Sequence, residues 1–114
     1  ECDFIDCSSG GNSPLQEIDA GPGYQTGFAA DIRRETGVKT MAVGQITQAR
    51  QAEAIIRSGQ ADMVALARGF LYDPHWVWHA ADELRAQAAF APQYARSHPS
   101  MQGLPIPGNP PTPK

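Results

Sequence analysis

Short apolar runs alternate with stretches of helical spacing along most of this chain. Phe4-Ile5-Asp6-Cys7 predicts a short strand, and Ser8-Ser9-Gly10-Gly11-Asn12-Ser13-Pro14 opens a long polar loop behind it. The loop ends near Gly21-Pro22-Gly23, where proline can start a helix. From Tyr24 to Thr36 the apolar residues Phe28, Ala29 and Ile32 keep helical spacing, and Gly37 supplies the stop. Lys39-Thr40-Met41-Ala42-Val43 predicts a second strand, punctuated by Gly44. Thr47 is the expected N-cap of a helix from Gln48 to Ser58, with Ala52, Ile55 and Ile56 on one face and Gly59 after it. The run Met63-Val64-Ala65-Leu66-Ala67 predicts a third, buried strand that stops at Arg68. A one-turn segment, Gly69 to Tyr72, follows it. Asp73 as N-cap and Pro74 at the first position then open a helix reaching to about Gln87.

Three strand-then-helix units with short connections predict a parallel sheet covered by helices, an α/β fold. Three units cannot close a (β/α) barrel, which takes eight strands and about 250 residues. The simplest account is the C-terminal portion of a longer barrel, occupying residues 1–96. A small flavodoxin-like domain is the runner-up, although that fold uses about five strands. Residues 97–114 hold Pro99, Pro105, Pro107, Pro110, Pro111 and Pro113 with few apolar side chains. Such a segment buries too little surface to offset its ordering entropy, so a disordered tail is expected there.

Length and charge narrow the classes further. The chain has 114 residues and a net charge of −3, enough for one core and without the basic surface a nucleic-acid binder needs. No apolar stretch is long enough to cross a bilayer, and no signal peptide opens the chain. Cys2 and Cys7 stand five apart on one extended segment, so they point to opposite faces and are not expected to pair. A reducing, cytoplasmic setting is the default expectation.

The chemistry gathers where the third strand ends. A strand, a fixed cation, a flexible glycine and a short helix are the parts from which a (β/α) barrel builds a phosphate pocket at the mouth of its last strands. The planar guanidinium of Arg68 suits two charge-assisted bonds to phosphate oxygens, and a surface arginine at a strand end is the competing reading. His75 and His79 stand at i, i+4, but no third ligand joins them, so helix packing is expected and no metal. Trp76 and Trp78 flank them, one expected to pack inward and the other near a subunit contact. Cys7 lacks a partner histidine and reads as a packed thiol. The Ser8-Ser9-Gly10-Gly11 loop lacks the lysine and spacing of a P-loop and reads as a loop at the barrel mouth.

Four blocks now stand in order: Phe4-Ile5-Asp6-Cys7-Ser8-Ser9-Gly10; Gly21-Pro22-Gly23-Tyr24-Gln25; Ala42-Val43-Gly44-Gln45-Ile46; and Leu66-Ala67-Arg68-Gly69-Phe70-Leu71-Tyr72-Asp73-Pro74-His75-Trp76. Together they resemble the Old Yellow Enzyme family of flavin-dependent ene-reductases, closest to its bacterial NADPH dehydrogenase and xenobiotic reductase branch. The resemblance covers roughly residues 2–96. It implies an FMN-binding TIM (β/α)8 barrel, of which this chain holds the sixth, seventh and eighth units, with NAD(P)H as reductant. It implies that the flavin phosphate is held at Ala42, Val43 and Gly44, and at Ala67 and Arg68. Relatives usually carry glycine where Ala67 stands; alanine donates its N–H equally well at negative φ. Ala91-Pro92-Gln93-Tyr94-Ala95-Arg96 resembles a terminal segment that reaches into a neighbouring subunit's active site, which makes Arg96 a trans-acting candidate in a homo-oligomer.

The family's substrate-binding histidine pair, its proton-donating tyrosine and its flavin-tuning residue belong to earlier barrel units. None is matched here, and His75, His79 and His98 do not correspond to them. The resemblance thus implies a small-molecule substrate for the intact enzyme, with no catalytic residue in this chain and no activity from it alone. Two alternatives stay open. One is another phosphate-binding barrel of isomerase or aldolase type; the other is a non-catalytic, truncated or partner-dependent module.

Overall fold

The computed structural model describes residues 1–97. In order they form β1 (Phe4–Cys7), α1 (Thr26–Thr36), β2 (Lys39–Val43), α2 (Ala49–Arg57), β3 (Met63–Ala65), α3 (Arg68–Tyr72), α4 (Trp76–Glu83) and a 3-10 turn at Pro92–Ser97. The three strands are parallel and lie in the order β1-β2-β3, with Cys7 beside Ala42 and Ala42 beside Val64. The order never reverses. A flavodoxin-like sheet would place its second strand outside its first, so that runner-up does not describe this sheet. The residues divide into two compact units, Glu1–Trp76 and a second beginning at Val77. The proline-rich segment expected to be disordered lies, beyond Ser97, outside the described residues, as does His98.

In the first unit one face of the sheet is closed and the other open. Cys7, Ala42 and the helix residues Ala29, Ala52 and Ile55 make one buried cluster, with Ile5, Ile32 and Val64 packed against it. Alanine at positions 29 and 42 leaves nothing beyond Cβ, which lets α1 lie close over β2. The buried Thr40 hydroxyl donates to the Ala29 carbonyl at 3.2 Å, so this buried polar group is satisfied at the contact. On the opposite face Met41, Val43, Met63 and Ala65 are only partly covered, and Phe4 and Asp6 are exposed. Such a half-open apolar face is what a partial barrel leaves on its inner side.

The expected helical stripes are narrower than their sequence. Ala49, Ala52 and Ile55 are buried along α2, whereas Ile56, one step further round, is exposed. Phe28 on α1 is likewise half exposed. A single sheet face meets only about a third of each helix circumference.

Helix ends follow local chemistry. Gly37 closes α1 at φ +72 with its N–H on the Arg33 carbonyl. At the end of α2 the amides of Gly59 and Gln60 bond back to Ile56 and Ile55, a Schellman closure around a left-handed glycine. The same closure ends α4 early, at Glu83 instead of Gln87, with Arg85 at φ +55 in the glycine's place. Asp73 does cap that last helix, its Oδ1 accepting from the His75 amide at 3.0 Å. Thr47 does not cap α2: the cap position belongs to Gln48, and the Thr47 amide is bonded to Gln51. Helix α1 begins at Thr26 and not Tyr24, because Gly23 and Gln25 are drawn into the loop contacts described below. In the second unit Trp78 packs edge-on against Phe90 and Tyr94, while Trp76 belongs to the first unit and packs on its core. Cys2 is exposed and Cys7 buried, both as free thiols, and burial with the neighbouring Asp6 carboxylate pushes the Cys7 thiol up.

At the amino ends of the strands Arg33 and Asp62 tie α1, β2 and β3 together. Arg33 Nε donates to Asp62 Oδ2 at 3.1 Å and its Nη1 to the Gly59 carbonyl, while the Thr40 amide donates to the same carboxylate. The Arg33 hydrogen bond, then the Thr40 amide, hold the Asp62 carboxyl below the usual carboxylate range. A depressed folded-state pKa contributes stability above the unfolded pKa of about 4, and that contribution is lost as pH falls through the folded value. Asp62→Asn is therefore expected to flatten the acid limb of a plot of Tm against pH. An unaltered slope below about pH 4 would rule the clamp out.

Candidate functional site

A cavity of about 930 Å³ opens in the first unit where β2 and β3 end. The carboxyl ends of parallel strands are where α/β barrels place their ligands, because the strand-to-helix loops converge there. One wall is the loop Val43–Thr47, and the facing wall runs from Ala65 to Gly69. Tyr24 and Gln25 close the side toward β1, and Tyr72, Asp73 and Trp76 complete the rim.

The loop after β2 turns sharply through two unusual residues. Gly44 has φ +123 and Gln45 φ +48, and a Cβ on Gly44 would stand 2.8 Å from Tyr24 Cε1. Only glycine fits, for conformation and for space. Five bonds anchor this loop from outside. Gln25 Nε2 donates to the Val43 carbonyl at 3.3 Å, and the Gly23 amide to the Gly44 carbonyl at 2.9 Å. Gln51 Nε2 donates to the Gln45 carbonyl at 3.1 Å while its Oε1 accepts from the Thr47 amide at 3.1 Å. Trp76 Nε1 donates to the Thr47 carbonyl at 3.1 Å. The Gln25 Oε1 in turn accepts from both the amide and the hydroxyl of Ser9. The loop after β1 is thus tied to the loop after β2.

On the facing wall Ala67 lies at φ −98 and α3 begins at Arg68. Alanine at 67 therefore carries no backbone strain. The amides of Arg68 and Gly69, in the first turn, enter none of the backbone hydrogen bonds of this region, as expected for helix-start donors. The Arg68 side chain is exposed at the cavity and pairs with no carboxylate among the described residues. Asp73 is the carboxylate of the lining, and its Oδ1 is engaged at the start of α4. One fixed positive charge and a set of backbone donors suit an anion.

The sequence candidates distribute unevenly over this geometry. Val43, Gly44, Ala67 and Arg68 all line the cavity. Ala42 is fully buried in the middle of the sheet, between Cys7 and Val64, and forms no part of the lining. Arg96 is exposed on the 3-10 turn of the second unit. His75 and His79 join no group of three metal-ligating side chains among the described residues. Gln25, Gln51 and Trp76 carry loop-anchoring roles that the sequence did not disclose. Gln51 reads there as one more polar residue in a helix, and Gln25 carries a motif without a stated task.

Comparison with known proteins bears on what this cavity takes. The profile of the NADH:flavin oxidoreductase / NADH oxidase family matches residues 5–87. The NADPH dehydrogenase of Geobacillus sp. (strain WCH70) is 49% identical over 94 residues, covering 82% of this chain and 27% of that protein. The NADPH dehydrogenases of Bacillus licheniformis and Bacillus subtilis (strain 168) are 44% and 40% identical, covering 83% and 82% of this chain and 28% of each relative. The chain therefore spans a little over a quarter of the length of these relatives.

Proposed function

The chain belongs to the NADH:flavin oxidoreductase / NADH oxidase family, the Old Yellow Enzyme family, and on that premise we propose that it forms the FMN-phosphate end of an NADPH-dependent ene-reductase. FMN is the cofactor and NADPH the reductant that the family and the relatives imply. Membership sets aside the isomerase and aldolase reading. The fold implied by the family is a TIM barrel, and we assign β1, β2 and β3 to its sixth, seventh and eighth strands. The remaining strands would come from polypeptide outside these residues.

The observation that carries the proposal is the cavity between the ends of β2 and β3, with Arg68, which makes no ion pair among the described residues, on its wall. The donor set fits a phosphate: a guanidinium, helix-start amides at Arg68 and Gly69, and the loop at Gly44. In this reading Arg68 neutralises phosphate charge, Gly44 lets the backbone approach, and Ala67 needs only its N–H. Ala42 acts through the sheet, fixing where Val43 leaves it. Bound flavin supplies the passage of hydride from NADPH to the β-carbon of an activated alkene, chemistry that belongs to the cofactor. These residues hold and orient the phosphate end and take no part in moving the hydride or the proton. We assign Arg96 to a partner subunit's active site in a homo-oligomer, and the reducing cytoplasm as its setting.

The test has two arms. A protein carrying this segment within a complete barrel is expected to bind FMN, turn yellow and oxidise NADPH when given a cyclic enone. The 114-residue chain alone is expected to show no enone reduction, because the family resemblance assigns the walls around the flavin ring and the acid for the α-carbon to other barrel units. Colourless protein in the first arm, or sustained turnover in the second, would refute the proposal.

A further inference from the structure

Among the described residues every peptide bond is trans, so the C=O of one residue and the N–H of the next point in opposite directions. Fixing a carbonyl therefore aims the following amide. In the loop after β2 three successive carbonyls are captured from outside: Val43 by Gln25, Gly44 by the Gly23 amide, and Gln45 by Gln51. The amides that follow within the loop, those of Gln45 and Ile46, are turned the other way and donate to no loop or turn carbonyl among the described residues. Both residues line the cavity, next to Gly44. Successive amides presented by a backbone with positive φ values make a concavity for an anion, and Gly44 and Gln45 have such values.

We propose that Gln51, together with Gln25, is a positioning residue that holds this loop as an anion-binding nest by capturing its carbonyls. The orientation of each amide side chain is forced. Oε1 of Gln51 faces the Thr47 N–H, which can only donate, and Nε2 faces the Gln45 carbonyl, which can only accept. Gln25 is fixed in the same way between the Ser9 amide and the Val43 carbonyl. Gln51 stands behind the loop and forms no part of the cavity wall, so it acts on a ligand only through the backbone. It also restrains Gln45, whose left-handed conformation is costly outside glycine. The inference rests on the flavin-phosphate reading and deepens it: phosphate selectivity is built by two glutamines that fix the loop, Gln51 from behind the site and Gln25 from its wall.

The experiment compares FMN with riboflavin, which has the same ring and no phosphate, by flavin fluorescence quenching in the complete flavoprotein. Wild type is expected to prefer FMN; no preference would overturn the phosphate reading itself. Gln51→Leu is expected to weaken FMN by about tenfold while leaving riboflavin within about twofold, the scale of one or two lost hydrogen bonds. Gln51→Glu keeps the acceptor for Thr47 and removes the donor for Gln45, so it serves if the leucine variant folds poorly. The same selective loss is expected from it. A preference for FMN that survives both substitutions overturns the inference, and so does equal weakening of FMN and riboflavin, which would mean general loosening of the barrel.

Discussion

Replacing Gly44 with alanine is expected to strip the flavin and to lower stability by about 2–4 kcal/mol, from a strained φ and an overpacked side chain together. The backbone sits at φ +123, which side chains rarely adopt, and the new Cβ would meet Tyr24 Cε1 at 2.8 Å and Gln25 Nε2 at 3.0 Å. Relieving the clash means moving Tyr24 off the loop or breaking the Gln25 bond to Val43. Either movement disturbs the wall on which the anion would rest. Gly27 is the matched control: it lies within α1, and a Cβ there meets nothing within 4 Å. Gly27→Ala is expected to be neutral or slightly stabilising, since alanine is the better helix former. Thermal melts and flavin retention on gel filtration check both. Gly44→Ala that melts with wild type and keeps its flavin would contradict this account of the loop.

Arg68→Ala is expected to weaken FMN by about 1.5–3 kcal/mol, roughly ten- to 150-fold, the range for a charged hydrogen bond. The side chain is exposed, which favours the lower half of that range. Riboflavin affinity should barely change, and Arg68→Lys should recover only part of the loss, since an ammonium keeps the charge and forfeits the planar fork. Because Arg68 makes no ion pair among the described residues, its removal should leave Tm almost unaltered without flavin. Equal FMN affinity in wild type and Arg68→Ala would remove Arg68 from the site. A fall in flavin-free Tm would reassign it to structure.

Gly44 and Arg68 were legible in the chain for a local reason. Each terminates an apolar run, and a glycine or a fixed cation at the end of a parallel strand sits at the ligand end of such a fold. The loop after β2 was legible as a position and not as a mechanism. Gln25 reaches Val43 eighteen residues on, and Trp76 reaches Thr47 across twenty-nine. No periodicity reports bonds of that span. The same holds for Arg33 and Asp62, which as sequence are a helix-end base and a loop acid. Together they form one clamp across three elements.

By itself the sequence determined the three strands, the helices over them and most of their stops. Those depend on neighbours within one or two turns: alternating or helical burial, Gly37 and Gly59 at left-handed closures, Asp73 at a cap. Its motifs also carried the family. Tertiary structure alone decided which of the candidate residues face the cavity. Ala42 and Val43 are adjacent and similar in character, yet Ala42 is sealed between two strands and Val43 stands on the wall. That difference comes from sheet register, which sends successive side chains to opposite faces and ends the ladder at a particular residue. It likewise decided that Ile56 stays exposed while Ile55 is buried, because one sheet face covers only part of a helix. Register and coverage are set by the packing of distant segments against each other, a property no short stretch of chain contains.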